Sequence, residues 1–425
     1  MVSVAERVVR RRVREALGEL WDEVPTADAV ARDQQVRQTV HRELVAYNRE
    51  AVTTNEPMLS DPDQLERQLL GEMFGLGRLQ ALMEDKTVDN IFIDSPTRVD
   101  KQAFGLIERT DVCFEDDDEV RNLVRRVARQ HGRTIDESNP RVDVTLQDGS
   151  RLHAVMPPIT RQYTQVAIRK FTRKGQRLED LAASATFTPD AGRFLAALVQ
   201  ASANIVVSGR TGTGKTTLLG ALGLAIDDPE QRIVTLEETR ELALDLYLPR
   251  CTSWQGRPKN AEGKGLITLR DLLQEDALRM EPARIILGEA RAAEALDILR
   301  AMNTGHEGSL TTVHASSARA ALSALRNLAL QSPDRFDVET VTALIADAVD
   351  VVIHLRKVKQ PGGGFRREVS EIFELTEQEH PLKFNGQQLW ARDRDGNLVR
   401  TGIRPRILAK IEEAEVSYRW EPTTA

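Results

Sequence analysis

The chain reads as an α/β protein whose core is a mostly parallel sheet, and three observations predict it. The apolar run 204–208 leads into Gly209-Arg210-Thr211-Gly212-Thr213-Gly214-Lys215-Thr216, which matches G-x-x-x-x-G-K-[ST] at every fixed position. Thr216 to Ile226 then has the composition of a helix, so strand, glycine loop and helix follow in the order of a phosphate-binding loop. Downstream, the short apolar runs 233–236, 285–287 and 310–313 alternate with helical text, the pattern of parallel strands joined by crossover helices.

In chain order, residues 1–60 are helix-like, carry five arginines between Arg7 and Arg14, and turn near Pro25-Thr26-Ala27-Asp28; they read as a helical appendage. Residues 61–171 change to mixed α+β text. Val88 to Ile93 is strand-like, and Val120, Leu123, Val124, Val127 and Ala128 fall at helical spacing behind the acidic run 115–119, which suits a helix N-terminus. Val142 to Val144, Arg151 to Val155 and Val166 to Phe171 follow as strands joined by turns. The polar stretch 172–188 reads as a linker, 189–375 as the α/β core, and 376–425 as a small C-terminal extension expected to pack on that core.

Composition narrows the function. A chain of 425 residues that is 41% hydrophobic is long enough for two or three cored domains. It has no run near 18 apolar residues and no signal-peptide pattern at its start, which predicts a cytoplasmic chain, at most peripheral to a membrane. Two cysteines without a C-x-x-C pair suggest neither a disulfide framework nor a thiolate metal site. A formal charge of −7, with only four Trp and four Tyr, argues against a basic stacking groove for nucleic acid and toward a protein partner.

The loop sets the chemistry. Its glycines let backbone N–H groups converge on phosphates, Lys215 reaches the β- and γ-phosphates, and the Thr216 hydroxyl suits Mg²⁺, with Thr217 continuing the helix. The expected ligand is ATP or GTP. In open α/β sheets ligands lie at the carboxyl ends of the strands, and those ends supply Glu237-Glu238, then Gly288-Glu289-Ala290-Arg291, then His314-Ala315. A carboxylate there can orient or deprotonate an attacking water. Spacing does not divide that work among Glu237, Glu238 and Glu289.

These segments, with 235–242, 284–294 and 311–315 as acidic, Walker B and histidine boxes, resemble the type II and type IV secretion and pilus-assembly ATPases, most closely the CpaF-like tight-adherence subfamily. The resemblance runs from about Gly75 to the C-terminus. It implies a RecA-like P-loop ATPase core behind a PAS-like α+β domain, ATP with Mg²⁺, and a homohexameric ring that drives a polytopic platform protein at the cytoplasmic face of the inner membrane. It also implies roles: Glu238 and Glu289 for water and Mg²⁺, Thr216 and Glu289 as metal contacts, directly or through water, Glu237 in support, and His314 at the γ-phosphate. Arg133, Arg151 and Arg169 match family arginines that approach nucleotide. Two departures stand out: Leu236-Glu237-Glu238 where the family usually has Ile-Glu-Asp, and Arg291-Ala292-Ala293-Glu294 where it usually has Arg-Gly-Gly-Glu. A RecA-like nucleic-acid or conjugation motor and a non-catalytic nucleotide-dependent scaffold are the alternatives.

Overall fold

The structure, a computed structural model, describes residues 4–23, 29–54, 56–74, 76–103, 105–146, 148–171, 175–259, 263–360, 364–394 and 396–420. It divides into two compact units, Met1–Thr172 and Arg173–Ala425. The expected turn at Pro25 to Asp28 and the first residues of the expected linker, 172–174, lie outside the described residues.

The first unit opens with three helices, Val4–Glu23, Ala29–Thr54 and Pro62–Phe74, closed on one another by Val9, Val13, Val40, Leu44, Tyr47, Leu65 and Leu69. The helical layer therefore runs to residue 74, past the boundary at 60 expected from sequence, because Leu65 and Leu69 complete the same small core. Six strands follow: β1 (Val88–Ser95), β2 (Arg98–Ala103), β3 (Leu106–Arg109), β4 (Arg141–Thr145), β5 (Arg151–Val155) and β6 (Gln165–Arg169). They form an antiparallel sheet in the order β3-β2-β1-β6-β5-β4. The helix Asp117–Gln130 lays Val120, Leu123, Val124 and Val127 into this unit's core. Its start is set by the acidic run: the Asp116 carboxylate accepts from Glu119 N at 2.9 Å, and three more acids occupy the first turn.

The second unit contains β7 (Ile205–Gly209), β8 (Ile233–Glu237), β9 (Cys251–Gln255), β10 (Arg284–Leu287), β11 (Leu310–His314), β12 (Val351–Lys359), β13 (Phe365–Leu375), β14 (Gly386–Arg392) and β15 (Leu398–Arg400). The sheet order is β15-β14-β13-β12-β7-β11-β10-β8-β9, parallel from β12 to β9 and antiparallel through the last three strands. Both faces are covered, with Ile205 and Val207 of β7 in one core and Val206 in the other, which is why these strands read as unbroken apolar runs.

Asn204 sets the strand starts: its Oδ1 accepts from Gly308 N and Ser309 N at 2.8 and 3.1 Å, and its Nδ2 donates to Ala348 O at 2.8 Å. The expected linker is partly helical. Leu178–Ala183 is a helix whose Leu178 and Leu181 enter the second unit's core, since two apolar residues three apart suffice to dock one turn. The C-terminal residues extend the same sheet, and Trp390, Leu408 and Ile411 are buried in its core. Trp420 meets Trp390 edge-on at 5.0 Å, with the Arg400 guanidinium 4.4 Å from the Trp420 ring and paired with Asp190.

Candidate nucleotide site

The loop between β7 and the helix Lys215–Gly223 has the backbone its glycines allow. Gly212 and Gly214 sit at φ +74° and +94°, where an L side chain is strained, and Gly214 caps the helix from that left-handed conformation. Gly209 is required by space: a Cβ there would stand 2.8 Å from the Leu355 carbonyl of β12. Thr213 folds the loop back on itself, its hydroxyl donating to Arg210 O at 2.8 Å. Arg210 and Thr211 are exposed, and Thr216 and Thr217 are half-buried on the first turn. The helix N-terminus, with its unpaired N–H groups and positive dipole end, points into the cradle.

Lys215, Glu289 and His314 come from three different elements and meet beside that loop. Sheet register explains the meeting: His314 ends β11 opposite Gly209, and Glu289 follows the neighbouring β10. Lys215 Nζ stands 3.4 Å from both ring nitrogens of His314, and His314 Nε2 lies 2.6 Å from Glu289 Oε1. Arg291 Nη2 donates to Glu289 Oε2 at 2.8 Å. The His314–Glu289 approach is close but off-line, so Oε1 remains a buried acceptor without an aligned donor among the described residues.

Burial lowers the Lys215 ammonium below its ordinary value, against the pull of Glu289. Burial also lowers His314, helped by the charges of Lys215 and Arg291, so the ring is neutral near pH 7 and has one nitrogen free to accept. The Glu289 bond and charge raise Arg291 above its ordinary value despite burial.

The two glutamates of the acidic box part company. Glu237 ends β8 at 3% exposure, and its Oε1 accepts from Glu241 N and Leu242 N at 2.9 and 3.1 Å. Its Oε2 is buried without a partner among the described residues, and burial raises its carboxyl to about 7. Glu238 is exposed, beside Gly256. Burial likewise pushes the neighbouring Cys251 thiol up to about 12, leaving it unreactive.

Arg133, Arg151 and Arg169 all lie in the first unit. Arg151 and Arg169 face each other directly across β5 and β6, and Arg151 pairs with Asp143 at 3.1 Å beside His153. Arg133 follows the helix Asp117–Gln130, its backbone N–H donating to Ala128 O at 2.8 Å. The structure thus joins Lys215, Glu289 and His314 with the loop, places Glu237 beneath and Glu238 at the surface, and keeps the three arginines on one α+β sheet unit.

The residues fit a Mg²⁺-nucleotide. A Cβ at Gly209 would meet Thr213 and the Leu355 carbonyl, one at Gly214 would stand 3.3 Å from the Arg367 Cδ, the buried Glu289 Oε1 lacks an aligned donor, and no group of three or more acidic, His or Cys side chains among the described residues would hold a metal alone. Mg²⁺ is usually held by one or two carboxylates together with substrate phosphates, which matches that set. Sequence reasoning gave too little weight to Arg291, whose partner was not legible, and missed Arg367, whose Nε donates to Gly212 O at 3.2 Å from 155 residues away.

Comparison with known proteins bears on the family and the fold. A protein of Mycobacterium tuberculosis assigned by name to conjugal transfer is 34% identical over 345 residues, covering 79% of this chain and 95% of that one. The type IV secretion system protein VirB11 of Bartonella quintana is 31% identical over 336 residues, covering 69% of this chain and 90% of the relative. The solved Legionella pneumophila ATPase DotB aligns with 72% of this chain and 81% of its own at a TM-score of 0.53 and 19% identity, which establishes the likeness of fold. The family described as type II/IV secretion system protein matches residues 75–380, well over half of the sequence, and the chain belongs to it.

Proposed function

We propose that the chain hydrolyses ATP with Mg²⁺ as the motor of a secretion or pilus-assembly machine, of the CpaF-like tight-adherence kind, working as a homohexameric ring on a polytopic inner-membrane platform protein. The observation that carries the ATPase reading is the convergence of Lys215, His314 and Glu289 on one glycine cradle. Phosphoryl transfer asks a protein for position and charge neutralisation more than for covalent chemistry. Loop N–H groups and the helix N-terminus bind the phosphate oxygens, and Lys215 is the cation at the β/γ end. When bound, Mg²⁺ would supply further charge neutralisation, and the Thr216 hydroxyl and Glu289 would hold it, directly or through water.

Glu289, oriented by Arg291, offers Oε1 to an attacking water, and neutral His314 accepts from or donates to whatever occupies the γ position. Glu237, bound to backbone amides and holding its proton near neutrality, orients the acidic box; Glu238 is the second water-positioning candidate. Among the described residues no helix is long and apolar enough to cross a membrane.

The test is Lys215→Ala. It should abolish ATP turnover while circular dichroism stays that of the wild-type chain, and retained turnover would remove the site assignment. The relative named for conjugal transfer favours a second reading, a nucleic-acid translocase. That reading requires DNA binding whose affinity falls steeply with salt; the −7 charge argues against a broad basic surface for it.

A further inference from the structure

Arg367 lies on the opposite side of the loop from the Lys215–His314–Glu289 group. β7 runs between β11 and β12, so the loop leaving β7 has β11 and β10 on one flank and β12 and β13 on the other. His314 and Glu289 belong to the first flank. Arg367, on β13, belongs to the second, where its Nε donates to Gly212 O at 3.2 Å and its Cδ would stand 3.3 Å from a Cβ at Gly214.

The charge environment there is unbalanced. The flanking arginines Arg356 and Arg366 each pair with the buried Glu368 at 2.7 Å, and Arg392 stands 3.7 Å from it. Among the described residues no carboxylate pairs with Arg367. Lys357 faces it directly across the β12–β13 ladder, and like charges directly opposite one another are unfavourable. An exposed guanidinium held on a phosphate-binding loop, with a second cation opposite and its neighbouring Glu368 already taken by Arg356 and Arg366, is arranged for an anion that arrives with the ligand.

We propose that Arg367 binds the α/β-phosphate end of the nucleotide. This rests on the nucleotide reading of the site and adds its second flank. A nucleotide whose γ-phosphate lies at Lys215, His314 and Glu289 extends toward β12 and β13, and the Arg367 side chain, already at the loop, exchanges the Gly212 carbonyl for a phosphate oxygen. The contact is common to ADP and ATP and is independent of hydrolysis.

The experiment measures the affinities of ADP and of a non-hydrolysable ATP analogue for the full chain and for Arg367→Gln, Arg367→Lys and Arg367→Ala, with unfolding temperatures recorded without nucleotide. Glutamine can still donate to the Gly212 carbonyl but carries no charge, whereas lysine keeps the charge. A lost charge-assisted contact weakens binding about ten- to a hundredfold. Expected are equal losses of that size for ADP and the analogue in the Gln and Ala variants, and affinity restored to within about threefold of wild type by Lys, a shift of about 0.7 kcal/mol or less. Wild-type affinity in Arg367→Gln makes Arg367 a loop latch only and overturns the proposal. A loss confined to the ATP analogue places the contact at the γ end and also overturns it. Failure of the unmodified chain to bind either nucleotide would refute the nucleotide reading itself, a separate outcome.

Discussion

Glu237→Gln separates the two carboxylates of the acidic box by stability as a function of pH. Burial raises the Glu237 carboxyl from 4.5 to about 7, opposed by the two backbone donors and by Arg240. Raising a folded-state value favours the protonated form, so the native chain holds a proton between pH 4.5 and 7 that the unfolded chain has released. The contribution is fully present below 4.5 and is lost as pH rises through 7. At about 1.4 kcal/mol per pH unit, a carboxyl carried from 4.5 to about 7 corresponds to about 3 kcal/mol.

Glutamine keeps an acceptor for Glu241 N and Leu242 N and cannot ionise. Relative to wild type it should therefore gain about 3 kcal/mol between pH 4.5 and 8, whatever fixed cost its amide adds. The difference between the two chains is the quantity to follow, because His314 and His354, both lowered chiefly by burial, contribute stability that is lost as pH falls below 6.5 and would mask the trend in either chain alone. Urea unfolding without nucleotide, followed by tryptophan fluorescence, reports mainly on the second unit, which holds Trp254, Trp390 and Trp420. A difference that stays flat from pH 4.5 to 8 would show that Glu237 titrates at its ordinary value, and the division of labour drawn between it and Glu289 would fail with it.

Glu289→Gln removes the carboxylate that faces His314 and Arg291 and should lower kcat about a hundredfold or more while the affinity for Mg²⁺-ATP changes by no more than about threefold; Glu238→Gln should lower kcat less. Wild-type rates in both variants would reduce these glutamates to surface charge. If Arg133 or Arg151 of the first unit acts on a neighbouring chain's nucleotide, at least one of the Arg133→Ala and Arg151→Ala chains should lose about a thousandfold in turnover, and mixing that chain with Lys215→Ala chains should recover part of it. Mixed assemblies proven by differential tags yet no more active than either parent would exclude action in trans.

What the sequence revealed, and what it withheld, follows from the range of the interactions involved. The loop was legible because its whole chemistry lies within eight consecutive residues, and β7, β8, β10 and β11 were legible because strands buried on both faces must be apolar throughout. Glu289 and His314 could be placed at strand ends from local text, but their contact with each other and with Lys215 depends on the order in which parallel strands are laid side by side, which no window of sequence contains. Glu237 and Glu238 are adjacent and chemically alike, so only the alternation of the final β8 residue toward the interior separates a buried, amide-bound carboxyl from an exposed one. Leu178–Ala183 escaped notice because one docked turn in polar text has too few residues to show a period. Arg367 was invisible for the strongest reason: the antiparallel return of β13 beside β12, itself beside β7, brings it to the loop across 155 positions. The same topology gives the site two chemically different flanks, a carboxylate and imidazole flank from β10 and β11 and a flank from β12 and β13 that carries Arg367 and Lys357. With its γ end at Lys215, a nucleotide would bring its α/β end to Arg367, and the ADP-against-ATP comparison on Arg367 tests that direction independently of any effect on the rate.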